Sequence, residues 1–553
     1  MTVAARTGGR ILVDQLLVHG VDTAFCVPGE SYLAVLDALH GGPIRLVTCR
    51  HEAGAANMAE AYGKLTGRPG VCLVTRGPGA THASIGVHTA FQDSTPLVLL
   101  IGQVARAHLE REAFQEIDFR RMFSEMAKWV VQIHEAERIP ELLSRAFHVA
   151  TSGRPGPVVL ALPEDMLTEE AVVDDAARYS VVQPHPGADD LERMRKLLVA
   201  ARRPLLIAGG GGWSSETARD LLAFAEANEL PVGTSFRCQD YVDNRSRVYA
   251  GHVGIGIDPA LAERVREADL LLVVGARLGE VTTSGYTLLD APTPRQTLVH
   301  VHAGAEELGR VYHADVPINA APGPFAAAAR ALEPVDPSAW IAATASAHEE
   351  YRANLRHEAG PGMLDLGEVM AVLRRRLPGD AILASGAGNF SVWAHRFYEF
   401  TTYRSQLAPT SGAMGYGLPA AIAAKLVEPE RTVVCLAGDG DFMMSVQELA
   451  TAVQYDAAVL VLVVNNGMYG TIRMHQEREY PGRVVGTELV NPDFAALARS
   501  FGAHGELVER SADFEPAFDR ALATGRPALL ELRVDPEAIT PDATLSQIRS
   551  GDG

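Results

Sequence analysis

The sequence predicts an α/β protein of three doubly wound domains, each built on a parallel sheet. Short apolar runs such as Leu97-Val98-Leu99-Leu100-Ile101 and Leu270-Leu271-Leu272-Val273-Val274 recur along the chain. Unbroken apolarity over so few residues marks strands buried on both faces. Stretches with helical spacing separate these runs, the alternation that gives parallel sheets with helical crossovers. The length of 553 residues exceeds what one hydrophobic core supports and fits about three or four domains.

The first domain is expected over residues 1–182. The strand Arg45-Leu46-Val47-Thr48-Cys49 leads into His51-Glu52-Ala53-Gly54-Ala55-Ala56. Glu52 thus falls at a strand-to-helix junction, with small residues behind it that let the helix pack closely. An acid there is also favoured by the helix macrodipole alone. The strand Val71-Cys72-Leu73-Val74 precedes Gly77-Pro78-Gly79-Ala80-Thr81, a tight turn whose glycines serve geometry. Ala113-Phe114-Gln115-Glu116 follows further on.

A polar linker, Gln183-Pro184-His185-Pro186-Gly187, precedes the second domain, expected over residues 189–333. Its strand Pro204-Leu205-Leu206-Ile207-Ala208 runs into Gly209-Gly210-Gly211-Gly212. Such a turn can cradle a pyrophosphate. Tight strand-to-helix packing explains it equally well.

Helix and linker follow, and the third domain is expected over residues 361–553. Its strand Ala381-Ile382-Leu383-Ala384 leads to Gly386-Ala387-Gly388-Asn389-Phe390, a loop whose backbone N–H groups suit phosphate. Ser411-Gly412-Ala413-Met414-Gly415 comes next, with a methionine that would fill a core gap anywhere. The strand Thr432-Val433-Val434-Cys435-Leu436-Ala437 then ends at Gly438-Asp439-Gly440. A helical stretch from Val446 to Val453 connects it to Val459-Leu460-Val461-Leu462-Val463-Val464, which ends at Asn465-Asn466. This order brings Asp439 and Asn466 together at the carboxyl ends of neighbouring strands, where open α/β sheets bind ligands. Two oxygen ligands, with waters and phosphate oxygens, suit octahedral Mg²⁺ carrying a diphosphate.

The formal charge of −19 argues against a nucleic-acid surface, although a local basic pocket remains compatible with it. The five cysteines lack metal-ligand spacing and read as buried, reduced thiols. The first ten residues lack the hydrophobic core of a signal peptide, and no apolar run is long enough to span a bilayer. A cytoplasmic protein without a membrane partner is the expectation.

The Gly-Asp-Gly and Asn-Asn block, taken whole, resembles the thiamine diphosphate-binding motif of thiamine-dependent enzymes. Within that family the chain is most similar to the acetolactate synthase-like group, in the same order of three domains. The resemblance implies a thiamine diphosphate-binding fold with pyrimidine-binding, central and diphosphate-binding domains, and thiamine diphosphate and Mg²⁺ as cofactors. Asp439, Asn466 and the main-chain carbonyl of Met468 would then be the metal ligands. Gly388, Asn389, Gly440 and Asp441 would meet the diphosphate side. Met414 would wedge between the cofactor rings, and the Gly412 carbonyl would accept from the amino group. Glu52 would hydrogen-bond the aminopyrimidine ring and promote loss of the thiazolium C2 proton. Phe114 and Gln115 would lie beside the reacting end.

The implied reaction is decarboxylation of a 2-oxo acid, pyruvate first, and carboligation to a second carbonyl compound. A homodimer or dimer of dimers is implied, with Glu52 of one subunit facing Asp439 of another. Two departures stand out. His475 replaces the tryptophan with which acetohydroxyacid synthases favour a larger acceptor. Arg277-Leu278-Gly279-Glu280-Val281 and His302-Ala303-Gly304 replace two segments through which those enzymes hold FAD, with the acids of the second absent. The balance is against FAD, which stays open as an alternative. Also open are a non-oxidative decarboxylase, a ligase with a different acceptor, and a non-catalytic binding homologue.

Overall fold

The computed structural model describes residues 4–551. The outermost residues of the first and third expected domains, 1–3 and 552–553, lie outside the described residues. The chain forms two compact units. One extends to Val182 and includes Ile422–Val427, and the other comprises Gln183–Ala421 and the chain from Glu428 onward.

The first unit opens with β1 (Arg6–Thr7). It continues through β2 (Thr23–Cys26), β3 (Arg45–Thr48), β4 (Gly70–Val74), β5 (Leu97–Gln103), β6 (Trp129–Gln132), β7 (Pro157–Pro163) and β8 (Glu170–Ala171). β1 and β8 pair antiparallel; the other six form a parallel sheet in the order β3-β2-β4-β5-β7-β6. β4, β5 and β7 are buried along their whole lengths, which is why they read as unbroken apolar runs.

The second unit carries two more six-stranded parallel sheets. One contains β9 (Pro204–Ala208), β10 (Val232–Ser235), β11 (Tyr249–Val253), β12 (Leu270–Val274), β13 (Thr297–His302) and β14 (Val316–Asn319), ordered β11-β10-β9-β12-β13-β14. This is the succession of dinucleotide-binding sheets. The other contains β15 (Ile382–Ser385), β16 (Gln406–Leu407), β17 (Val433–Gly438), β18 (Leu460–Asn465), β19 (His504–Val508) and β20 (Ala528–Arg533). Its order, β16-β15-β17-β18-β20-β19, repeats the connectivity of the first unit's sheet. The expectation of three doubly wound parallel sheets is therefore met.

Strand order fixes where a ligand can sit. Where succession reverses, the two adjacent loops diverge and leave a crevice at the carboxyl ends. In the third sheet this switch falls between β15 and β17, and in the first between β2 and β4. All five cysteines are buried and unpaired with one another, as expected. Among the described residues no helix is long and apolar enough to cross a membrane.

Candidate functional site

A cleft of about 240 Å³, partly open to solvent, lies at the β15/β17 switch of the third sheet. It is lined by Gly388, Asn389, Gly412, Met414, Asp439, Gly440, Asp441, Asn466 and Met468. The third-domain residues expected at the metal and cofactor therefore line one cleft, whereas His475 does not. Register explains why Asp439 and Asn466 meet: Gly438 of β17 lies opposite Val464 of β18, so the two motifs emerge side by side. Asp439 opens a short helix, Asp439–Met443.

Asp439 is buried, and burial pushes its carboxyl up from the ordinary value. The backbone N–H groups of Gly440, Gly467 and Met468 and the Asn491 amide oppose that shift. Gly440 N donates to Oδ1 at 2.8 Å, while Gly467 N and Asn491 Nδ2 donate to Oδ2 at 2.9 and 2.8 Å. Asn491 Nδ2 also donates to Asn465 Oδ1 at 3.0 Å, and Asn465 Nδ2 donates to Glu531 Oε1 at 2.9 Å. The carboxylate is thus oriented by a chain of amides that ends on β20. Asn466 Oδ1 accepts from Met468 N at 3.2 Å. A carboxylate, an amide oxygen and a main-chain carbonyl form a hard oxygen set, the chemistry Mg²⁺ takes.

Asp441 organises the other wall. Its Oδ1 accepts from Gly415 N at 2.7 Å and Ala387 N at 3.3 Å, tying the Met414 segment to the Gly388 loop. Burial pushes its carboxyl up to about 7. Its Oδ2 has no hydrogen-bond partner, an unmet demand that fits a cleft built to take a polar group. Only glycine fits at 386, where a Cβ would lie 2.1 Å from Asp441 Oδ1. Asn389 is fixed by Thr471, whose hydroxyl accepts from Asn389 N and donates to Asn389 Oδ1, both at 2.9 Å. The residues present fit a metal-bound diphosphate.

In the first unit, Glu52 opens the helix Glu52–Thr66, capped by His51, whose Nδ1 accepts from Ala53 N at 3.1 Å. Glu52 Oε2 lies 2.9 Å from Nδ1 of His82. Gly77-Pro78 proves to be the start of a second helix, Pro78–Asp93. The Gly77 φ is +46°, and a Cβ there would lie 2.7 Å from the Gln115 carbonyl oxygen. Gln115 is itself left-handed, with φ +65°, and Arg76 Nε donates to the Phe114 carbonyl at 3.2 Å. Arg76 is buried and paired with Glu30 and Glu164. The Phe114 side chain is exposed.

The middle sheet's switch is packed with its own side chains. Trp213 Nε1 donates to the Gly209 carbonyl at 2.8 Å, and the Tyr241 hydroxyl donates to the Gly210 carbonyl at 2.7 Å. Gly304 N donates to His302 Nδ1 at 3.0 Å at the end of β13. Asn319 Nδ2 donates to the carbonyls of His302 and Ala303. Tight packing between strand ends and their own side chains accounts for the glycine turn here.

Sequence reasoning passed over Arg76, His82, Asn491 and Thr471. Asn491 has no motif around it, and only the folded chain returns it to Asp439. His82 directly follows Gly77–Thr81 and was legible as a neighbour, not as a partner of Glu52.

Comparison with known proteins bears on this geometry. Residues 6–122 match the family model described as thiamine pyrophosphate enzyme, N-terminal TPP binding domain. Residues 191–329 match the central domain and residues 386–532 the C-terminal TPP binding domain of the same family. The chain is 32% identical to the acetolactate synthase isozyme 2 large subunit of Escherichia coli K12, covering 96% of this chain and 95% of that protein. It is 33% identical to an acetolactate synthase large subunit of Parasynechococcus marenigrum, covering 96% and 87%. A probable acetolactate synthase large subunit of Methanocaldococcus jannaschii is 31% identical, with 97% and 93% covered.

Proposed function

This chain belongs to the thiamine pyrophosphate-dependent enzymes, and from that membership we propose that it decarboxylates pyruvate and joins the two-carbon remainder to a second pyruvate. It is a thiamine diphosphate-dependent enzyme of the carboligase and decarboxylase type. Two pyruvates and a proton would give acetolactate and carbon dioxide. The observation that carries this reading is the convergence of Asp439, Asn466, Met468 and Met414 on one cleft.

In this reading Asp439, Asn466 and the Met468 carbonyl hold Mg²⁺, and Gly388, Asn389, Gly440 and Asp441 shape the diphosphate end. Met414 and the Gly412 carbonyl orient the ring end. Thiamine diphosphate, when bound, would supply an acidic thiazolium C2 as nucleophile and a cationic ring as the sink for the electron pair left by decarboxylation. Glu52 holds or releases a proton at the aminopyrimidine ring of the cofactor bound to a second copy of the chain. Phe114 and Gln115 lie beside the reacting end of the cofactor. The working unit is a homodimer or dimer of dimers in the cytoplasm, and its domains are residues 1–182, 189–333 and 361–553.

A second reading, a ligase for another acceptor, is favoured by His475, which lies exposed on the helix Gly470–Glu479. One assay separates the two. The enzyme with thiamine diphosphate, Mg²⁺ and pyruvate alone should release carbon dioxide and form acetolactate. Acetaldehyde as sole product would mark a simple decarboxylase. Turnover that starts only with an added carbonyl compound would mark the other ligase.

A further inference from the structure

Among the described residues of its own chain, Glu52 has one side-chain hydrogen-bonding partner, and that partner lies at the chain's surface. Its own side chain is only 13% exposed, whereas the ring of His82 is 51% exposed and places Nδ1 at 2.9 Å from Glu52 Oε2. The ring is held in place. His82 stacks on His51 with centroids 4.5 Å apart and 28° between planes, and His51 is fixed as the helix cap. Two helices set the pair: Glu52 opens one, and His82 lies near the start of the other. Gly79, on the same helix start, leaves room beside Glu52 Oε1, 3.5 Å from where a Cβ would stand.

Resting on the reading of Glu52 given above, we propose that His82 is a positioning and relay residue that carries the Glu52 proton to and from water. Protonated Glu52 donates to Nδ1 of a neutral ring whose proton sits on Nε2. Transfer moves the Glu52 proton to Nδ1 while Nε2 releases one to water. The ring then donates from Nδ1 to the carboxylate, and one proton has gone from Glu52 to solvent. The hydrogen bond survives in both states, so the carboxyl stays oriented while its charge changes.

The other titratable groups facing the pair do not compete for this role. Burial pushes His51 down from its ordinary value, with His82 adding to the effect. Tyr32 and Cys72, which sense the Glu52 charge from the interior, are pushed up by burial. No metal site is inferred from His51, Glu52 and His82, although the three cluster. Nδ1 of His51 already accepts a backbone N–H, and Nδ1 of His82 already meets Glu52.

The test follows exchange of the C2 proton of bound thiamine diphosphate for deuterium in the Mg²⁺-loaded holoenzyme, across pH. His82→Asn, which keeps a polar group but cannot relay, should slow exchange by about 100-fold and remove one step from the pH profile. Free imidazole should restore exchange in His82→Ala and do nothing in Glu52→Gln. In the cofactor-free protein, the ring ¹⁵N shifts of His82 should change in Glu52→Gln, because an amide cannot take part in the tautomer switch. Wild-type exchange and pH profile in His82→Asn, with Glu52→Gln slowed, would overturn the relay alone. Wild-type exchange in Glu52→Gln would overturn the Glu52 reading itself and the relay with it.

Discussion

Asn491 donates its amide to Asp439 Oδ2 at 2.8 Å from a segment that carries no motif of its own. The same amide reaches Asn465, and Asn465 reaches Glu531, so a polar chain crosses three neighbouring parallel strands behind the cleft. Partners of this kind fix the direction in which a ligating carboxylate points and tune its hold on the metal. Asn491→Ala should therefore raise the Mg²⁺ concentration needed for thiamine diphosphate retention by about 10–100-fold. Fluorescence titration with Mg²⁺ at fixed cofactor checks this, and an unchanged midpoint would make the contact dispensable.

Asp439→Ala should go further and abolish Mg²⁺-dependent retention of the cofactor. Calorimetry with Mg²⁺ present is the measurement. Wild-type affinity in a folded variant would remove Asp439 from the metal shell.

Gly77→Ala tests the clamp on Gln115. Alanine at φ +46° is strained, and its methyl group would press on the Gln115 backbone. The expected cost is about 1–3 kcal/mol, read as a lower thermal midpoint. Gln115, already left-handed, should be displaced, so carboligation should fall more than cofactor binding. A variant with unchanged midpoint and product ratio would show that this turn tolerates a side chain.

The helix Gly470–Glu479, which lends Thr471 and Ile472 to the cleft wall, is pinned by Glu477. That carboxylate is fully covered, and Arg549 donates to both oxygens at 2.9 Å, with Arg473 and Gly482 N adding further bonds. Arg549 above all pulls its pKa from 4.5 down to about 2. A depressed carboxylate stabilises the fold fully above the unfolded value, and the contribution is lost as pH falls through the folded one. Docking of the C-terminal helix Leu545–Ser550 should thus hold above about pH 4.5 and weaken progressively toward pH 2. Hydrogen exchange of that helix should rise over this window in the wild type. In Glu477→Gln it should already be high at neutral pH, and equal protection in both would sink the clamp.

Assembly can be tested by complementation. Glu52→Gln and Asp439→Ala chains should each be inactive, and mixing them should regenerate activity after subunit exchange. One of the two sites in each mixed dimer would then be intact. Verified mixed dimers that stay inactive, from parents that remain folded, would rule out a shared site.

What the sequence determined by itself was the alternation and the ends of strands. Runs such as Val71–Val74 and Leu270–Val274 are buried on both faces, so their apolarity is continuous and easily read. The motifs at their carboxyl ends were legible because each is local: Asp439 follows its strand directly, as Asn466 follows its own, and Glu52 opens its helix. What only the tertiary structure decided was strand order and everything that depends on it. Parallel neighbours are joined by long crossovers, and an apolar run says nothing of which other run it will pair with. The switch between β15 and β17, the return of Asn491 to Asp439, the tie from Asp441 to Ala387 and Gly415, and the meeting of His82 with Glu52 all arise between segments distant in sequence. Hydrogen bonds formed across such distances leave no periodic trace in the chain, because each needs only one polar residue in the right place.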